Sequence, residues 1–491
     1  FMYTVATFGW VRSMYFFNKL MALAKRHWRQ QFELLVWSHV DDFASLHFSQ
    51  EAACEQRDNI VSPEMAALGL VREPTKGCWD APTQCPVIYG FEVDLAWQGD
   101  HGKGMITIPD SKVDRLAGVL SAVMAAAGSA VSARFLASVA GRVISCQEAF
   151  SPAKPWTKHF FWAIDAHNRP VWAWDRKDVW VTKQMARDAG FLVRALRRHN
   201  GKVLWPALAT VLMRWDASLS GWGAALWTHP SQSVPAAQAG GQWRFPQTEW
   251  HINDLEPEAF LLALQSFEPM LTGVVCQPQG DSVTANAAVR EFSGSTKSLH
   301  RTEIARKAWA WAQEASCTLL PVEYVNTKDN EWADERSREV DMADWSISDA
   351  VWVVLEDLWG PHTWDRFASL DNTRCESFTS RWYQPGCHWP DALQQHWAGE
   401  NNYCCPPEAV MMQALQKVVE AGAQATFIVP NYPARWWPLM AKMVVAQWEL
   451  PPVEVAFRPG PSQHVEPWKT VGKAASRSYL AVRLDASKLT R

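Results

Sequence analysis

The run Val211-Leu212-Met213-Arg214-Trp215-Asp216-Ala217-Ser218 constrains the fold more than any other stretch. It reads as a buried strand that ends in a carboxylate, and Gly221-Trp222-Gly223-Ala224-Ala225-Leu226-Trp227 reads as a turn and a returning strand. Near-continuous apolar strands need helices over both faces, which points to an α/β sheet. The residues that follow alternate accordingly. His251-Ile252-Asn253-Asp254-Leu255-Glu256 opens a helix through Leu264, with acids in its first turn to suit the helix dipole. Gly273-Val274-Val275-Cys276 is strand-like and leads to Asp281, and Leu319 to Val325 reads as another strand. Asn330-Glu331-Trp332-Ala333-Asp334 then starts a helix that ends in Ser337-Arg338.

Four carboxylates, Asp216, Glu256, Asp281 and Asp334, therefore stand at strand ends and helix starts. Such ends converge on one crevice in an open α/β sheet. Four acids in one dry site repel one another unless cations neutralise them. Hard oxygen ligands suit Mg²⁺ or Mn²⁺, and a pair of such ions activates water and stabilises the leaving oxygen of a phosphodiester. Any one of these acids, taken alone, reads more simply as a solvent-facing helix cap; the reading rests on all four in this order.

Trp215-Asp216-Ala217-Ser218, Ile252-Asn253-x-Leu255-Glu256, Asp281 and Asn330-x-x-Ala333-Asp334-x-x-Ser337-Arg338 together resemble the ribonuclease H domain of retroelements, and more narrowly of DIRS-like (tyrosine-recombinase) retrotransposons. The resemblance implies that all four acids are metal ligands for cleaving RNA in an RNA–DNA hybrid. Two positions depart from the family pattern. Asp281 is followed by Ser282 where Asn is frequent, and Tyr324 stands ten residues before the last Asp where many members carry His. A Tyr does not readily ferry protons near neutral pH, so slower turnover is expected.

Upstream, Glu33-Leu34-Leu35-Val36-Trp37-Ser38-His39-Val40-Asp41-Asp42-Phe43 is a β-run interrupted by two adjacent carboxylates. Neighbours on a strand point to opposite faces, so the pair needs a turn to serve one ion. With Phe8-Gly9, Lys19-Leu20-Met21, Leu68-Gly69-Leu70-Val71, Lys76, Tyr89-Gly90-Phe91 and Ile108-Pro109-x-x-Lys112, in this order, the run resembles a reverse transcriptase from its template-gripping helix to its thumb. Ala140-Gly141-Arg142-Val143-Ile144-Ser145 resembles the thumb helix of the same retrotransposons. That resemblance implies a catalytic and metal-binding role for Asp41 and Asp42. His39 replaces the usual Tyr, and the palm's first catalytic Asp lies upstream of this motif in the family. Residue 1 is Phe rather than Met, which suggests a fragment, and the expectation is that this chain alone does not polymerise DNA.

Asp365-Arg366-Phe367-Ala368-Ser369-x-x-Asn372, Trp397, Tyr403-Cys404-Cys405-Pro406-Pro407, a strand from Thr426 to Val429, and Trp436-Trp437-Pro438 resemble the Dam-like adenine methyltransferase domain of such elements. That family uses Asn-Pro-Pro-aromatic to hold the target amine and stack the flipped base. Here Cys405 and Glu408 occupy the Asn and aromatic positions; Cys is a poor acceptor and Glu offers no ring. A structural α/β module is the favoured reading of this region, ahead of methyl transfer.

The expected fold is thus α/β and multidomain: a partial palm (1–108), thumb-like helices (109–150, with a helical stretch from Ser111 to Ala149), a connector (151–205), an RNase H-like mixed sheet with helices (206–340), a methyltransferase-like module (341–455) and a tail (456–491) holding one strand-like run, Tyr479 to Leu484. A formal net charge of −4, from 47 basic and 51 acidic residues, excludes a histone-like binder and leaves nucleic-acid contact to local patches. Lys19 and Arg26, Lys76, and Arg194, Arg197 and Arg198 are the candidates to track the backbone of a hybrid or primer-template. The 30 Trp fit either cores or base stacking. Ten irregularly spaced Cys, without a CxxC pair or a secretory leader, point to a reduced intracellular compartment, cytoplasm or nucleus; Cys387-His388 and Cys404-Cys405 read as buried thiols rather than a zinc site. No apolar run approaches the roughly 20 residues that span a bilayer. The competing reading is a catalytically decayed relic that binds nucleic acid without turnover, with a DNA adenine methyltransferase behind it.

Overall fold

The computed structural model of the chain describes residues 13–39, 42–70, 81–165, 170–229, 231–295, 297–339, 345–459 and 478–490. The fold is mixed α/β with several separate sheets, and it divides into two compact units, Phe1–Ala207 and Leu208–Arg491.

In the first unit a helix, Ser13–Phe32, precedes an antiparallel hairpin of Leu35–His39 with Asp42–Leu46, in which His39 pairs with Asp42. Val87–Ile88, Phe91–Gly99, Gly102–Thr107 and Lys202–Pro206 form a four-stranded antiparallel sheet. The stretch 111–149, expected to be helical throughout, is two helices, Asp110–Ala125 and Ala133–Ile144, split by a strand, Ala130–Ser132. Gly128, with φ 75°, makes the turn between them, a conformation other residues adopt only at a cost. The stretch 151–205, expected as a connector, holds a strand that pairs with Ala130–Ser132, a helix packed on Asp110–Ala125, and the last strand of the four-stranded sheet. The helix there, Lys183–Arg198, is amphipathic: it carries Arg194, Arg197 and Arg198 on its exposed side and buries Met185, Ala189, Leu192 and Leu196.

The second unit is built on two large sheets, beside a two-stranded one of Trp345–Ile347 with Phe457–Pro459. The first comprises β1 (Val211–Ala217), β2 (Gly221–Trp227), β3 (Ala237–Gln242), β4 (Val275–Gly280), β5 (Thr318–Leu319) and β6 (Glu323–Tyr324). Their order is β3-β2-β1-β4-β5, with β6 also beside β4; β2 runs antiparallel to β1 and β3, whereas β4 is parallel to β1, β5 and β6. The expected strand from Leu319 to Val325 is interrupted at Pro321, which has no N–H for the ladder. Alternation sorts β1 between two faces. Met213 and Trp215 enter the main core with α1 (Ile252–Ser266), where Trp215 lies against Phe260; Leu212, with Ala225 and Trp227 of β2, forms a smaller cluster against Trp332. Trp332 belongs to α2 (Glu331–Arg338).

This short helix lies almost flush on β2 and β3 because the strands there carry glycine. A Cβ at Gly223 would stand 2.5 Å from the Ser337 nitrogen, and one at Gly240 would stand 3.3 Å from the Arg336 Cβ. Gly223→Ala is therefore expected to push α2 off the sheet and cost about 2–4 kcal/mol, measured by chemical denaturation.

The second sheet comprises β7 (Trp364–Asp365), β8 (Ser377–Ser380), β9 (Trp389–Pro390), β10 (Asn401–Cys404), β11 (Gln424–Pro430), β12 (Val444–Glu449) and β13 (Tyr479–Asp485). Its order is β9-β8-β7-β10-β11-β13-β12; β7 to β11 are parallel, and β13 runs antiparallel to both neighbours. The strand-like run expected in the tail is thus an interior strand, with Leu480, Ala481, Val482 and Leu484 buried. Among the described residues no helix is long and apolar enough to cross a membrane.

Candidate active site

Register brings the first two acids together. Gly280 on β4 pairs with Trp215 on the parallel strand β1, so Asp281 and Asp216 each follow a paired residue at the same end of the sheet. Glycine is required at 280, where a Cβ would meet the Trp215 ring at 2.6 Å. The third acid arrives from α1, whose start is capped by the His251 ring accepting from the Asn253 N–H at 3.1 Å. Glu256 lies in the second turn of that helix. Carboxylate oxygens of Asp216, Glu256 and Asp281 lie within 4.8 Å of one another.

The electrostatics of this cluster are unfavourable as it stands. Asp216 and Glu256 are buried, at 6% and 8% exposure. Burial, then the charges of Asp216 and Asp281, push the Glu256 carboxyl up to about 9, and its Oε2 has no hydrogen-bond partner. Burial pushes Asp216 up to about 6; the charges of Asp281 and Asp334 add to this, and a hydrogen bond donated by the Ser337 hydroxyl to Asp216 Oδ2 at 2.5 Å opposes it. An orphaned buried carboxylate oxygen amid like charges is a donor set that suits a hard divalent cation.

Asp334 stands beside this cluster rather than in it. It lies on α2 and accepts from Arg338, four residues on, at 2.9 Å from Nε and 2.6 Å from Nη2. Its charge still reaches Asp216. Ser337 and Asn330 both stand in the Asn330-x-x-Ala333-Asp334-x-x-Ser337-Arg338 motif, which assigns neither a role; the buried Asn330 Nδ2 donates to the Trp215 carbonyl at 3.0 Å and ties the start of α2 to β1. Tyr324, on β6, is exposed.

The remaining candidates lie elsewhere. Asp41 and Lys76 fall outside the described residues, as does the side chain of Asp42, the first residue of its strand. Lys19 and Arg26 are exposed on the Ser13–Phe32 helix. Arg194, Arg197 and Arg198 share an exposed face of Lys183–Arg198, and Arg197 pairs with Asp114 at 2.6 Å. Among the described residues the cysteines join no metal-type cluster; Cys387 takes a hydrogen bond from Ser380 and Cys404 is buried.

No family model matches the chain, and no curated protein matches it. Solved structures do. RNase H1 from the halophilic archaeon Halobacterium salinarum NRC-1 is 18% identical over 26% of this chain and 92% of its own, with a TM-score of 0.22. LC11-RNase H1 in complex with an RNA/DNA hybrid is 16% identical over the same shares, also at 0.22. The foamy viral protease-reverse transcriptase in complex with an RNA/DNA hybrid is 13% identical over 70% of this chain, at 0.30, and the match spans 43% of that longer protein.

Proposed function

We propose that residues 206–340 form an RNase H-like hydrolase that cleaves the RNA strand of RNA–DNA hybrids with Mg²⁺ or Mn²⁺. The observation that carries this reading is the convergence of Asp216, Glu256 and Asp281 within 4.8 Å, with one buried carboxylate oxygen left without a partner. A bound divalent pair supplies an activated water and neutralises charge on the leaving oxygen of a phosphodiester. The chain's own residues set that chemistry up. Asp216, Glu256 and Asp281 supply hard oxygen donors at one sheet end. Glu256, its carboxyl pushed up to about 9 by burial and by its acidic neighbours, would release its proton to solvent where a cation binds. Ser337 fixes the Asp216 carboxylate through Oδ2, and Arg338 holds Asp334 at the rim.

Further parts of the reading rest on coarser support. The hairpin that pairs His39 with Asp42 supports a palm reading of residues 1–108, with Asp41 and Asp42 as its acids, and the helices after it support a thumb. The exposed arginines of Lys183–Arg198, with Lys19, Arg26 and Lys76, are the residues we assign to backbone contact with hybrid or primer-template. The doubly wound order of the second sheet supports a methyltransferase-like architecture for residues 341–455. Its chemistry does not follow: Cys405 and Glu408 stand where the family motif has Asn and an aromatic, and the Arg366 guanidinium is buried over Trp364 and Trp397 and bound to Asn402 Oδ1 at 2.7 Å. We read the module as structural, in a retroelement-type polyprotein of the DIRS-like kind.

Magnesium-dependent cleavage of a labelled RNA–DNA hybrid, with Asp216→Asn as control, tests the nuclease. Hybrid binding without cleavage would instead favour the decayed relic.

A further inference from the structure

The helix that bears Asp334 and Ser337 is held from two sides. α2 has eight residues, and only Ala333 and Ser337 are buried. Helices this short have little stability of their own and take it from packing. From below, its own sheet holds it through the Ser218 hydroxyl, which donates to the Ser337 carbonyl at 2.5 Å, through the bond from Ser337 to Asp216, and through Trp332 packed on Leu212 and Trp227. Its outer side is held by the module that follows. Arg336 stacks over the Trp382 ring at 4.4 Å and pairs with Glu339 at 2.6 Å. Glu339, the residue that closes α2, also accepts from Trp382 Nε1 at 2.8 Å and pairs with Arg381 at 2.6 Å. Backbone hydrogen bonds fix the loop itself to β3: Tyr383 N–H donates to the Gln238 carbonyl at 3.1 Å, and Gly240 N–H donates to the Tyr383 carbonyl at 3.2 Å. The Arg336 side chain is 15% exposed, so its interactions are partly sheltered from water.

We propose that the loop Arg381–Gln384 is a clamp that positions the nuclease-site helix, and that Trp382 is a positioning residue for the chemistry at Asp216. The inference rests on the nuclease reading above. It gives the third module a task that needs no methyl donor: holding Ser337 against Asp216 and Asp334 beside the acid cluster. A clamp that slackens lets α2 open locally, and the site loses cation affinity before the sheet unfolds.

The full chain is compared with Trp382→Ala, Trp382→Phe and Glu339→Gln by three readouts: amide hydrogen exchange over residues 331–339, Mn²⁺ binding followed by electron paramagnetic resonance, and hybrid cleavage. In Trp382→Ala, exchange over α2 is expected to rise about tenfold, with Mn²⁺ affinity and cleavage each falling about tenfold, while the amides of β1 keep their protection. Trp382→Phe keeps a ring under Arg336 and is expected to recover to within about threefold of the parent. Glu339→Gln, which spares the ring but removes the carboxylate, is expected to fall between the two. If the parent leaves the hybrid intact, the nuclease reading fails, and exchange and Mn²⁺ affinity still judge the clamp. If the parent cleaves and Trp382→Ala matches it in all three readouts, the clamp is refuted and the nuclease stands. Should Trp382→Ala lose β1 protection as well, Glu339→Gln decides: unchanged α2 exchange there refutes the clamp.

Discussion

Asp216→Asn is expected to lower hybrid cleavage by about a thousandfold or more, equal to about 4 kcal/mol of lost transition-state stabilisation. The substitution keeps the shape of the side chain and can still accept the Ser337 hydroxyl, so the fold is preserved. It removes one anionic donor from the centre of a three-acid cluster whose purpose, on the proposed mechanism, is to hold cations. Asp281→Asn is expected to act similarly. Asp334→Asn is expected to cost less, about tenfold, because Asp334 stands at the rim in the grip of Arg338. Single-turnover cleavage rates at saturating Mg²⁺ check the series. Cleavage that survives Asp216→Asn within tenfold would remove the acids from the mechanism, and equal losses for Asp334 and Asp216 would move Asp334 into the cluster.

The second large effect is on stability. With divalent cations chelated, the protein is expected to lose stability steadily as pH rises from about 5 to about 9. The sign follows from Glu256, whose carboxyl is pushed up to about 9 by burial and by its acidic neighbours, from an ordinary value near 4.5. Below that ordinary value both folded and unfolded chains hold the proton. Between the two values the folded chain binds more protons than the unfolded one, so raising the pH favours unfolding. Asp216, pushed up to about 6, adds to the loss at the acid end of the window. A cation that occupies the site reverses this, because it competes with the proton and binds the folded state. Mg²⁺ or Mn²⁺ is expected to raise the melting temperature by about 5 °C at pH 8.5 and by less at pH 6. Glu256→Gln is expected to flatten the pH dependence, to stabilise the cation-free protein at pH 8 by about 2 kcal/mol, and to abolish the cation-induced rise. Thermal melts in chelator and in Mn²⁺ across this range are the measurement. A parent protein indifferent to both pH and Mn²⁺ would show that the carboxylates are not crowded as described.

What the chain reveals before folding is local. The apolar run of β1 and its terminal Asp216 could be read directly, since a strand covered on both faces leaves an unbroken hydrophobic signature. So could α1, announced by Asp254 in its opening turn. Long-range facts left no such trace. The pairing of Gly280 with Trp215 brings Asp281 beside Asp216, yet nothing near either residue encodes that register. The run at Tyr479–Asp485 looks like an isolated strand because both its partners, Gln424–Pro430 and Val444–Glu449, are distant in sequence. Asp334 was expected to join the other three acids; its capture by Arg338 is a side-chain choice that spacing alone does not resolve.

The loop that bridges to β3 bears on how the nuclease region behaves when handled alone. β3 is the outermost strand of its sheet, and Tyr383 and Gln384 occupy part of its free margin: one carbonyl and one N–H through the Tyr383 backbone, and the Gly240 carbonyl through Gln384 Nε2 at 2.9 Å. Cutting the chain after residue 339 would strip that margin and leave a bare ladder of donors and acceptors, a template for strand-to-strand association between molecules. A nuclease fragment ended there would self-associate for reasons unrelated to its catalytic acids, and its inactivity could be mistaken for evolutionary decay.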